Sequence, residues 1–582
     1  MEIAPNNSGL ILRFGTFEAD LRTRELRKGG VRIKLHGQPF EVLALLLERP
    51  GSVVPREELR KRLWPTDTFV DFDHGVNTAI NRLREALGDS ADTPRFIETL
   101  PRRGYRFVAP VIGAVPCAGE TVKSLAILPL ENASGDPSAE YLSDGITEAV
   151  INTLSQLPQL HVMARSTVFR YKGSAADPQA IGRDLNVSTV LTGRVVLRSD
   201  ILSIHVELVD VTEGWQLWGE QYNRKLADIF TVQEEIATAI SDKLRLKLTG
   251  EEKKRLTKRY THNTEAYQLY LKGRYFWNKR TEEGIKKGIE YFSEAIQSDP
   301  DYAQAYSGLA DSYIILGLSG FGGALPKEAM PRAREAAAKA LEIDESLAEA
   351  HASLGTVTFY YDRNWQEAER AFNRSIELNP GYAIARQWYG EYLAAMARLE
   401  EAIAELKHAK ELDPLSFIIN AILALILFFA RQYKLAVEQS HRTLEINRNF
   451  WPALHVLGIS YEQMGAFSQA IASLERGAMV SRRNGMMLGA LGHAYGTAGR
   501  RDEAQEVLVK LEALAQDRYI SPLNPALVHA SLGANDIALA ELEKAFEDRY
   551  WYLVFCRVDP RFDPLRSDPR FQDLLRRVGL PP

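Results

Sequence analysis

The side chains best suited to specific hydrogen bonding are concentrated in one stretch of the sequence, residues 76–89. This stretch contains Asn77, Thr78, Asn81, Arg82 and Arg84. The amide of Asn can form two hydrogen bonds with adenine, and the guanidinium of Arg can do the same with guanine. Two further cations, Arg102 and Arg103, follow between two strand-like runs. These residue types can form hydrogen bonds with base edges, and the same types also make up the solvated face of an ordinary helix.

The spacing of apolar residues predicts a helix over residues 74–87 that positions these groups. Val76, Ile80, Leu83 and Leu87 recur at i, i+4, i+7 and i+11, which forms one apolar stripe. Asp73 can cap the first turn. The rest of the helix surface carries His74, Thr78, Asn81 and Arg82, with Asn77 and Arg84 on its flanks.

The neighbouring elements follow the order of a winged helix-turn-helix. Short alternating runs between residues 12 and 35 predict a small antiparallel sheet, and apolar spacing predicts a helix over 38–48. Pro55 opens a second helix that ends before Pro65. After the third helix, residues 96–110 predict a β-hairpin, the wing, with Arg102 and Arg103 at its tip.

Residues 11–110 resemble the OmpR/PhoB-type winged-helix DNA-binding domain of bacterial transcription regulators. The matching stretches are REELRKRLWP (56–65), VNTAINRLREALGD (76–89) and FIETLPRRGYRF (96–107), in the family's order and spacing. The resemblance implies that the helix over 74–87 enters the major groove of double-stranded DNA, and that wing residues 100–106 reach the neighbouring minor groove. It assigns to the DNA-binding surface His74, Asn77, Thr78, Asn81, Arg82, Arg84, Thr99, Arg102, Arg103 and Tyr105.

The resemblance implies different roles for these residues. The residues of the helix face the bases, whereas Thr99 and Tyr105, together with Trp64, contact or brace the sugar-phosphate backbone. The sequence departs from the family at His74 and Gly75, where relatives often have Arg and Thr, and at Pro101, where Arg is frequent. The family also binds direct repeats, so we expect two copies to pair on DNA.

A repeat of 34 residues organises the second half of the sequence. Small residues recur in two independent columns, and after one longer interval both columns advance by 34 or 35 residues. The first column is Gly308, Gly355, Gly390, Ala424, Gly458 and Gly492. The second column is Ala295, Ala340, Ser375, Ala409, Thr443 and Gly477. The longer interval contains an insertion at 320–326, whose glycines and proline favour a loop.

This period resembles the tetratricopeptide repeat, a helical hairpin that stacks on its neighbours into an all-α superhelical solenoid. We expect about seven units over residues 265–556 and a C-terminal capping segment over 557–582. The resemblance implies a protein or peptide partner in the groove of the solenoid. We expect Trp388, Tyr389 and Trp451 to pack between helices rather than to contact a ligand.

Between these regions, residues 123–250 predict an α/β domain with the element order βαβαβββα. The runs LAILPLEN and VLTGRV resemble the TolB N-terminal-like or FlgO-like domain, which implies an accessory or ligand-sensing role. Asp144 and Glu148 lie one helical turn apart, and we expect a solvated helix face rather than a catalytic pair. We expect linkers at residues 111–122 and 251–264, the second of them charged.

The charge balance differs along the chain. The 582 residues contain 71 Lys and Arg against 76 Asp and Glu, a net charge of −5. Residues 1–110 hold 18 basic and 15 acidic residues, a balance of +3, so the remainder holds 53 against 61, or −8. The basic part therefore coincides with the part that resembles a DNA-binding domain.

No enzyme motif stands out in the sequence. It lacks H-E-x-x-H, G-x-S-x-G and Walker motifs, and Cys117 and Cys556 match no metal or redox spacing. We therefore expect no catalysis, cofactor or metal. The start of the chain does not read as a signal peptide, and the longest apolar run, 417–430, is too short to span a bilayer. We expect that run to form a buried helix, and the protein to be cytoplasmic without membrane contact.

The sequence predicts a one-component transcriptional regulator in which the winged helix binds promoter DNA and the repeats bind a partner that alters output. No receiver-like segment stands before the winged helix, so activation by aspartyl phosphorylation within the chain is not expected. The alternative is an interaction scaffold whose winged helix binds protein, which favours exposed apolar residues on the third helix. An enzyme hidden in residues 123–250 is a third reading.

Overall fold

The computed structural model divides the chain into two compact units, Met1–Val122 and Lys123–Pro582. The described residues are 10–14, 16–20, 25–28, 31–33, 35, 37–48, 53–63, 72–91, 94–100, 103–109, 111–116, 123–174, 176–246, 248–318 and 324–580. The division between the units coincides with the predicted start of the middle domain at residue 123.

The N-terminal unit has the elements of a winged helix. In chain order they are β1 (Leu10–Phe14), β2 (Phe17–Asp20), β3 (Glu25–Lys28), β4 (Val31–Ile33), α1 (Gln38–Glu48), β5 (Val53–Pro55), α2 (Arg56–Leu63), α3 (Phe72–Leu87), β6 (Ile97–Leu100), β7 (Gly104–Phe107) and β8 (Val111–Pro116). One antiparallel sheet has the order β4-β3-β2-β1-β8, and a smaller sheet has the order β5-β7-β6.

Two sequence predictions are wrong in this unit. Residues 111–116 were expected to be a linker, but β8 pairs antiparallel with β1 and completes the first sheet. The second half of that expected linker, residues 117–122, lies outside the described residues. α3 begins at Phe72, so Asp73 lies inside the helix rather than capping it.

An aromatic cluster joins the first sheet to the wing. The ring centroids of Phe14 and Phe107 are 5.0 Å apart, and those of Phe17 and Phe96 are 5.5 Å apart. Gly104 is required where the wing meets β5, because a Cβ atom there would lie 2.0 Å from the carbonyl oxygen of Val54 and its φ is +144°. The wing is therefore held firmly against the rest of the unit.

The second unit begins with the α/β domain. Its elements are β9 (Lys123–Ile127), β10 (Glu131–Asn132), α4 (Glu140–Ser155), β11 (Leu160–Val162), α5 (Arg165–Val168), α6 (Pro178–Asp184), β12 (Thr189–Arg198), β13 (Ile201–Asp210), β14 (Gln216–Lys225) and α7 (Ile229–Lys243). The sheet has the order β11-β9-β12-β13-β14, with β10 beside β12. β9 runs parallel to β11 and β12, whereas β13 is antiparallel to β12 and β14.

The expected charged linker at 251–264 is partly helical. α8 (Gly250–Leu256) begins with a capping box in which the Thr249 hydroxyl accepts from the amide of Glu252 and the Glu252 carboxylate accepts from the amide of Thr249. Leu256 at its end is buried in the core of the α/β domain. The segment was expected to be a linker because most of its residues are charged, but the single buried Leu anchors it to the domain.

The repeat region consists of eight consecutive helix pairs in the described residues. They are α9 (Thr264–Trp277) with α10 (Glu282–Ser298), α11 (Ala303–Gly317) with α12 (Pro326–Ile343), α13 (Ala348–Val357) with α14 (Trp365–Leu378), α15 (Ala383–Ala395) with α16 (Leu399–Leu412), α17 (Phe417–Phe429) with α18 (Tyr433–Ile446), α19 (Trp451–Gln463) with α20 (Phe467–Val480), α21 (Gly485–Thr497) with α22 (Arg501–Ala515), and α23 (Leu523–Ser531) with α24 (Asn535–Glu547). The first helix of each pair from α9 to α19 also contacts the first helix of the next pair. These first helices, the inner helices, therefore line the concave side of the array.

The columns of small residues mark the helix crossings. A Cβ atom on Gly355 would lie 2.8 Å from the ring of Phe372, and one on Gly458 would lie 2.4 Å from Leu474. Each of these large side chains comes from the second helix of the same pair. The 34-residue period is thus a repeated close contact between two helices, as the sequence predicted.

The array is followed by the C-terminal segment, defined here as residues 551–580. It contains 3₁₀ turns at Trp551–Phe555 and Pro560–Leu565 and ends in α25 (Pro569–Val578). α25 packs against α24, as a capping helix does. α17, the predicted buried apolar helix, is indeed mostly buried. In the part of the chain that the structure describes, no helix is both long and apolar enough to cross a membrane.

Candidate nucleic-acid interface

α3 presents a polar face to solvent. Asn77, Asn81 and Arg82 are exposed and Thr78 is half-buried, whereas Val76, Ile80 and Leu83 on the other side are buried. Since residues four apart share a helix face, Asn77 and Asn81 form one row and Thr78 and Arg82 form the next. His74 lies on the first turn, but its side chain is outside the described residues.

Asn77 is held by two side chains from neighbouring elements. Its Oδ1 accepts from Nη1 of Arg56 at 3.1 Å and from the hydroxyl of Tyr105 at 2.8 Å. Arg56 also donates to the Tyr105 hydroxyl at 2.9 Å. Because the oxygen is the only acceptor in the Asn77 amide, the amide nitrogen is the group directed away from this network. Asn77 can therefore donate to an acceptor on a base without losing its own orientation.

Tyr105 is only 2% exposed, so it braces the surface from below. Its ring lies under the guanidinium of Arg56, 5.1 Å from ring centroid to Cζ. The sequence resemblance gave Tyr105 a contacting or bracing role, and the geometry favours bracing. Arg56 was not among the predicted site residues, although it opens the matching stretch REELRKRLWP; its position in that motif was the available signal.

The structure corrects the prediction that Arg84 faces DNA. Its side chain is buried, and its Nη2 donates to the carbonyl of Ile97 at 2.8 Å and to Oγ1 of Thr99 at 2.7 Å. Arg84 thus ties α3 to strand β6 of the wing. Thr99 is half-buried, and its hydroxyl accepts this bond. Both residues orient the helix and the wing relative to each other.

Among the residues that the structure describes, the wing has one exposed cation near its tip. Arg103 is exposed, and its amide donates to the carbonyl of Leu100 across the turn. Arg102, its predicted companion, lies outside the described residues. On the flank of the hairpin, Arg106 pairs with Glu98 at 2.6 Å. The unit therefore combines a polar helix face with a cation on an adjacent hairpin, an arrangement that suits bases in a major groove and phosphates beside it.

The concave side of the repeats, the predicted partner groove, is covered by other parts of the same unit. At its rim, the hydroxyls of Ser166 and Thr167 in the α/β domain donate to the carboxylate of Asp413, with 2.7 Å for Thr167. The amide of Leu415 donates back to Oγ1 of Thr167 at 3.1 Å. The α/β domain is thus fixed to the loops that precede the inner helices.

The C-terminal segment covers the other ends of the inner helices. The ring of Phe555 stacks on Phe429 with centroids 5.3 Å apart and meets Phe359 edge-on at 6.2 Å. Trp551 meets Tyr360 edge-on at 5.6 Å. These partners come from the ends of the third and fifth repeats, so the segment spans the concave side.

A buried ion pair lies inside this segment. Arg561 and Asp559 are 2% and 0% exposed in their side chains, and Nη2 of Arg561 lies 2.6 Å from Oδ2 of Asp559. The hydroxyl of Tyr552 donates to the same carboxylate at 2.9 Å. Although burial disfavours the charge, Arg561 holds the pKa of Asp559 below its usual value. Trp388 and Tyr389 are buried in the same core and Trp451 is half-buried, as expected of packing residues.

The prediction that Asp144 and Glu148 lie on a solvated face is wrong. Both are buried because α9 packs against α4. Glu148 pairs with Arg274 of α9 at 2.6 Å and with Arg165 at 2.8 Å, and these cations hold its pKa down against the effect of burial. Asp144 pairs with Lys172 at 2.5 Å. Glu148 therefore joins the α/β domain to the first repeat, whereas Asp144 forms an ion pair within the domain. Elsewhere in the described residues, no group of three or more His, Cys, Asp or Glu is placed to hold a metal ion.

Comparison with known families identifies the class of the first two domains. Residues 30–107 match the family model described as "Transcriptional regulatory protein, C terminal". Residues 121–239 match the model described as "HilA/YgeH-like transcriptional regulator, second domain". The chain therefore carries an OmpR/PhoB-type DNA-binding domain of transcription regulators, followed by a HilA-like second domain.

Among individual proteins, the chain is similar to "Putative adenylate cyclase 3" of Rhizobium meliloti, with 30% identity over 63% of this chain and 60% of that protein. It is also similar to "Transcriptional regulator HilA" of Salmonella typhimurium, with 23% identity over 66% of this chain and 67% of that one. Among solved structures, the Klebsiella pneumoniae RstA DNA-binding domain in complex with the RstA box is 33% identical, with a TM-score of 0.16, covering 17% of this chain and 96% of that domain. The chain thus spans only part of the length of the first relative.

Proposed function

We propose that this protein is a one-component transcriptional regulator that binds promoter DNA through the exposed face of α3 and the wing. The observation that carries the proposal is the row of exposed polar side chains on α3, with Asn77 oriented by Arg56 and Tyr105. A partly buried network that fixes the direction of an exposed amide serves recognition of a partner better than it serves solubility. Access to chromosomal DNA requires that the protein act in the cytoplasm.

Selection of bound duplexes from a random library by the full chain tests this proposal. We expect a defined sequence to be enriched and to bind more weakly as salt rises, because phosphate contacts release counterions. Asn81→Ala should relax the preference at one base position and weaken binding by about 1–3 kcal/mol. Glu85→Ala is the comparison on the same row: it removes a negative charge, so we expect it not to weaken binding and to leave the preference at that base position unchanged. Failure to enrich any duplex at low and moderate salt would contradict the proposal.

The scaffold alternative is less well supported by the same surface. The described exposed side chains in the middle of α3 are Asn77, Asn81, Arg82 and Glu85, all polar or charged. Protein interfaces favour aromatic and large apolar residues at their centre. A protein-binding role for the winged helix would therefore need a different face of the unit.

For the repeats, we propose an internal role first: they hold the α/β domain and the C-terminal segment in one unit. The predicted peptide partner in the groove then requires the C-terminal segment to leave the inner helices, since Phe555 and Trp551 occupy them. The middle domain would act as the accessory or sensing part that its resemblance to TolB or FlgO domains implies. Pairing of two copies on direct repeats belongs to the same proposal. A complex that contains two copies of the protein on DNA with two half-sites, measured by its mass, would support it.

We also propose that the chain is not an enzyme. One relative is named a putative adenylate cyclase, and this chain covers 60% of its length. Incubation of the full chain with ATP and Mg²⁺ or Mn²⁺, followed by measurement of cyclic AMP, tests this directly. We expect no product above the background of a heat-denatured sample, and accumulation of cyclic AMP would contradict the proposal.

A further inference from the structure

A small cavity of about 90 Å³ lies where the α/β domain meets the first repeats. It is bounded by α4, α7, the segment after α8, and α9, and by residues at the starts of α11 and α13. A volume of this size holds several water molecules, and therefore a ligand of only a few non-hydrogen atoms. The cavity thus differs in kind from a groove for a peptide.

The wall of this cavity is rich in tyrosine. Tyr260, Tyr267, Tyr270 and Tyr302 line it, and Tyr267 and Tyr302 are almost entirely buried. Tyr270 lies between two of them, with centroid distances of 6.4 Å to Tyr267 and 5.2 Å to Tyr302. Clustered aromatic rings provide the negative ring faces that attract organic cations.

The cations around the cavity are already paired with carboxylates. Arg274 pairs with Glu148 at 2.6 Å, Arg259 with Glu234 at 3.1 Å, and Lys258 with Asp344 at 2.7 Å. An anionic ligand would have to break one of these pairs. The lining therefore offers no ready positive charge to a ligand.

Glu349, at the start of α13, is different. Among the described residues, no Lys, Arg or His lies within ion-pairing distance of its carboxylate, which faces the cavity at a partly buried position. Burial raises its pKa, and only its own backbone amide and the more distant Arg274 oppose that effect. A partly buried carboxylate without a cation is costly unless something else supplies the positive charge.

We propose that this cavity binds a small organic cation, a primary amine or quaternary ammonium compound, with its charged group at Glu349 and its apolar part against the tyrosine rings. Glu349 and Tyr302 belong to the repeats, whereas Glu148 and Gln233 belong to the α/β domain. A bound amine would therefore join the middle domain to the first repeats. This proposal goes beyond DNA binding and does not depend on it.

Thermal unfolding and calorimetry of the full chain test the proposal with n-butylamine and tetramethylammonium as probes. Butanol, sodium butyrate and sodium chloride at matched concentrations are the controls for apolar mass, negative charge and ionic strength. We expect saturable binding of at least one cation, with a rise in the midpoint of unfolding that the controls do not produce. Equal effects of cations and controls would overturn the proposal.

Two variants locate the site. Glu349→Gln keeps the size of the side chain and removes its charge, so we expect it to weaken binding of the amine by about tenfold or more. Glu345→Gln changes an exposed carboxylate just before α13 and should leave binding unchanged. Without ligand, Glu349→Gln should unfold no more easily than the unmodified protein, because it removes an unpaired charge. Equal amine affinity in Glu349→Gln and the unmodified protein would show that the carboxylate does not bind the cation.

Discussion

The two surfaces that the sequence assigns to binding differ in their exposure. The polar face of α3 is exposed, and its supporting residues Arg56, Tyr105 and Arg84 are arranged beneath it. The concave side of the repeats is instead bordered at its rim by the α/β domain and covered at the other ends of the inner helices by the C-terminal segment. The comparison teaches that a helix face with a narrow apolar stripe remains available to a partner. A concave solenoid surface rich in aromatic residues becomes core when the chain itself supplies something to cover it.

The strongest test of this difference is a buried Leu of the C-terminal segment. Leu553 is completely buried among the inner helices, so Leu553→Ala should lower the free energy of unfolding of the second unit by about 2–5 kcal/mol. Leu435→Ala on α18, where the side chain is 48% exposed, should cost less than about 1 kcal/mol. Urea unfolding of the full chain followed by tryptophan fluorescence measures both. Equal small effects would mean that the segment is only loosely held and that the groove is open to a partner.

The next test compares two arginines two residues apart on α3. Arg84→Ala removes a buried guanidinium that donates to Ile97 and Thr99, so we expect a loss of about 1.5–3 kcal/mol in stability of the N-terminal unit. Arg82→Ala should leave stability unchanged and weaken binding to the selected DNA. Hydrogen exchange at residues 97–100 of the full chain separates them: we expect faster exchange in Arg84→Ala only. If residues 97–100 exchanged as slowly in Arg84→Ala as in the unmodified protein, Arg84 would again be assigned to the residues that contact DNA.

Much of the winged helix could be predicted because its signals are local. The stripe of Val76, Ile80, Leu83 and Leu87 places α3 and its polar face from spacing alone. Arg84 was misplaced because the family resemblance assigned it to the DNA-facing side, although its spacing put it on the flank of the helix. It follows Ile80 by four positions and precedes Leu87 by three, so helical geometry puts it at the edge of the buried stripe. Its acceptors on β6 are set by tertiary packing, which spacing does not reveal.

The repeats show the limit of periodicity. The 34-residue period predicts each helix pair, since Gly355 and Gly458 mark contacts within a pair. It cannot predict that Phe555 meets Phe359 and Phe429, because these residues are far apart in the chain and share no spacing. The burial of Glu148 was missed for the same reason, since Arg274 lies in another domain of the sequence.

We expect a smaller effect in the pH dependence of stability, because the C-terminal segment covers part of the concave side where Glu391 lies. Glu391 lies on α15, which contacts the turn at Trp551–Phe555, and burial raises its pKa to about 7. The hydroxyl of Tyr360 and Nε2 of Gln387 donate to its carboxylate at 2.6 and 3.0 Å. Because the folded pKa exceeds the unfolded value, stability is highest below the unfolded pKa and is lost as pH rises towards 7.

Glu391→Gln removes this titration. Relative to the unmodified protein, we expect the variant to gain roughly 1 kcal/mol between pH 6 and pH 8 in urea unfolding. Glu400→Gln, an exposed change on α16, should show no such trend. If the difference in unfolding free energy between Glu391→Gln and the unmodified protein did not change from pH 6 to pH 8, water would reach this carboxylate. The concave side would then be less covered than the contacts imply.

The smallest effect belongs to the wing. Arg103 is exposed near the tip, so a single phosphate contact is the most it can contribute. Arg103→Ala should weaken all DNA sequences similarly and reduce the slope of log affinity against log salt by about 1. Arg106→Ala is the matched control on the same hairpin, and because Arg106 already pairs with Glu98 we expect it to change the slope less. If Arg103→Ala instead altered the preferred sequence at constant slope, the wing would be reading bases, and the division between a specifying helix and a positioning hairpin would have to be redrawn.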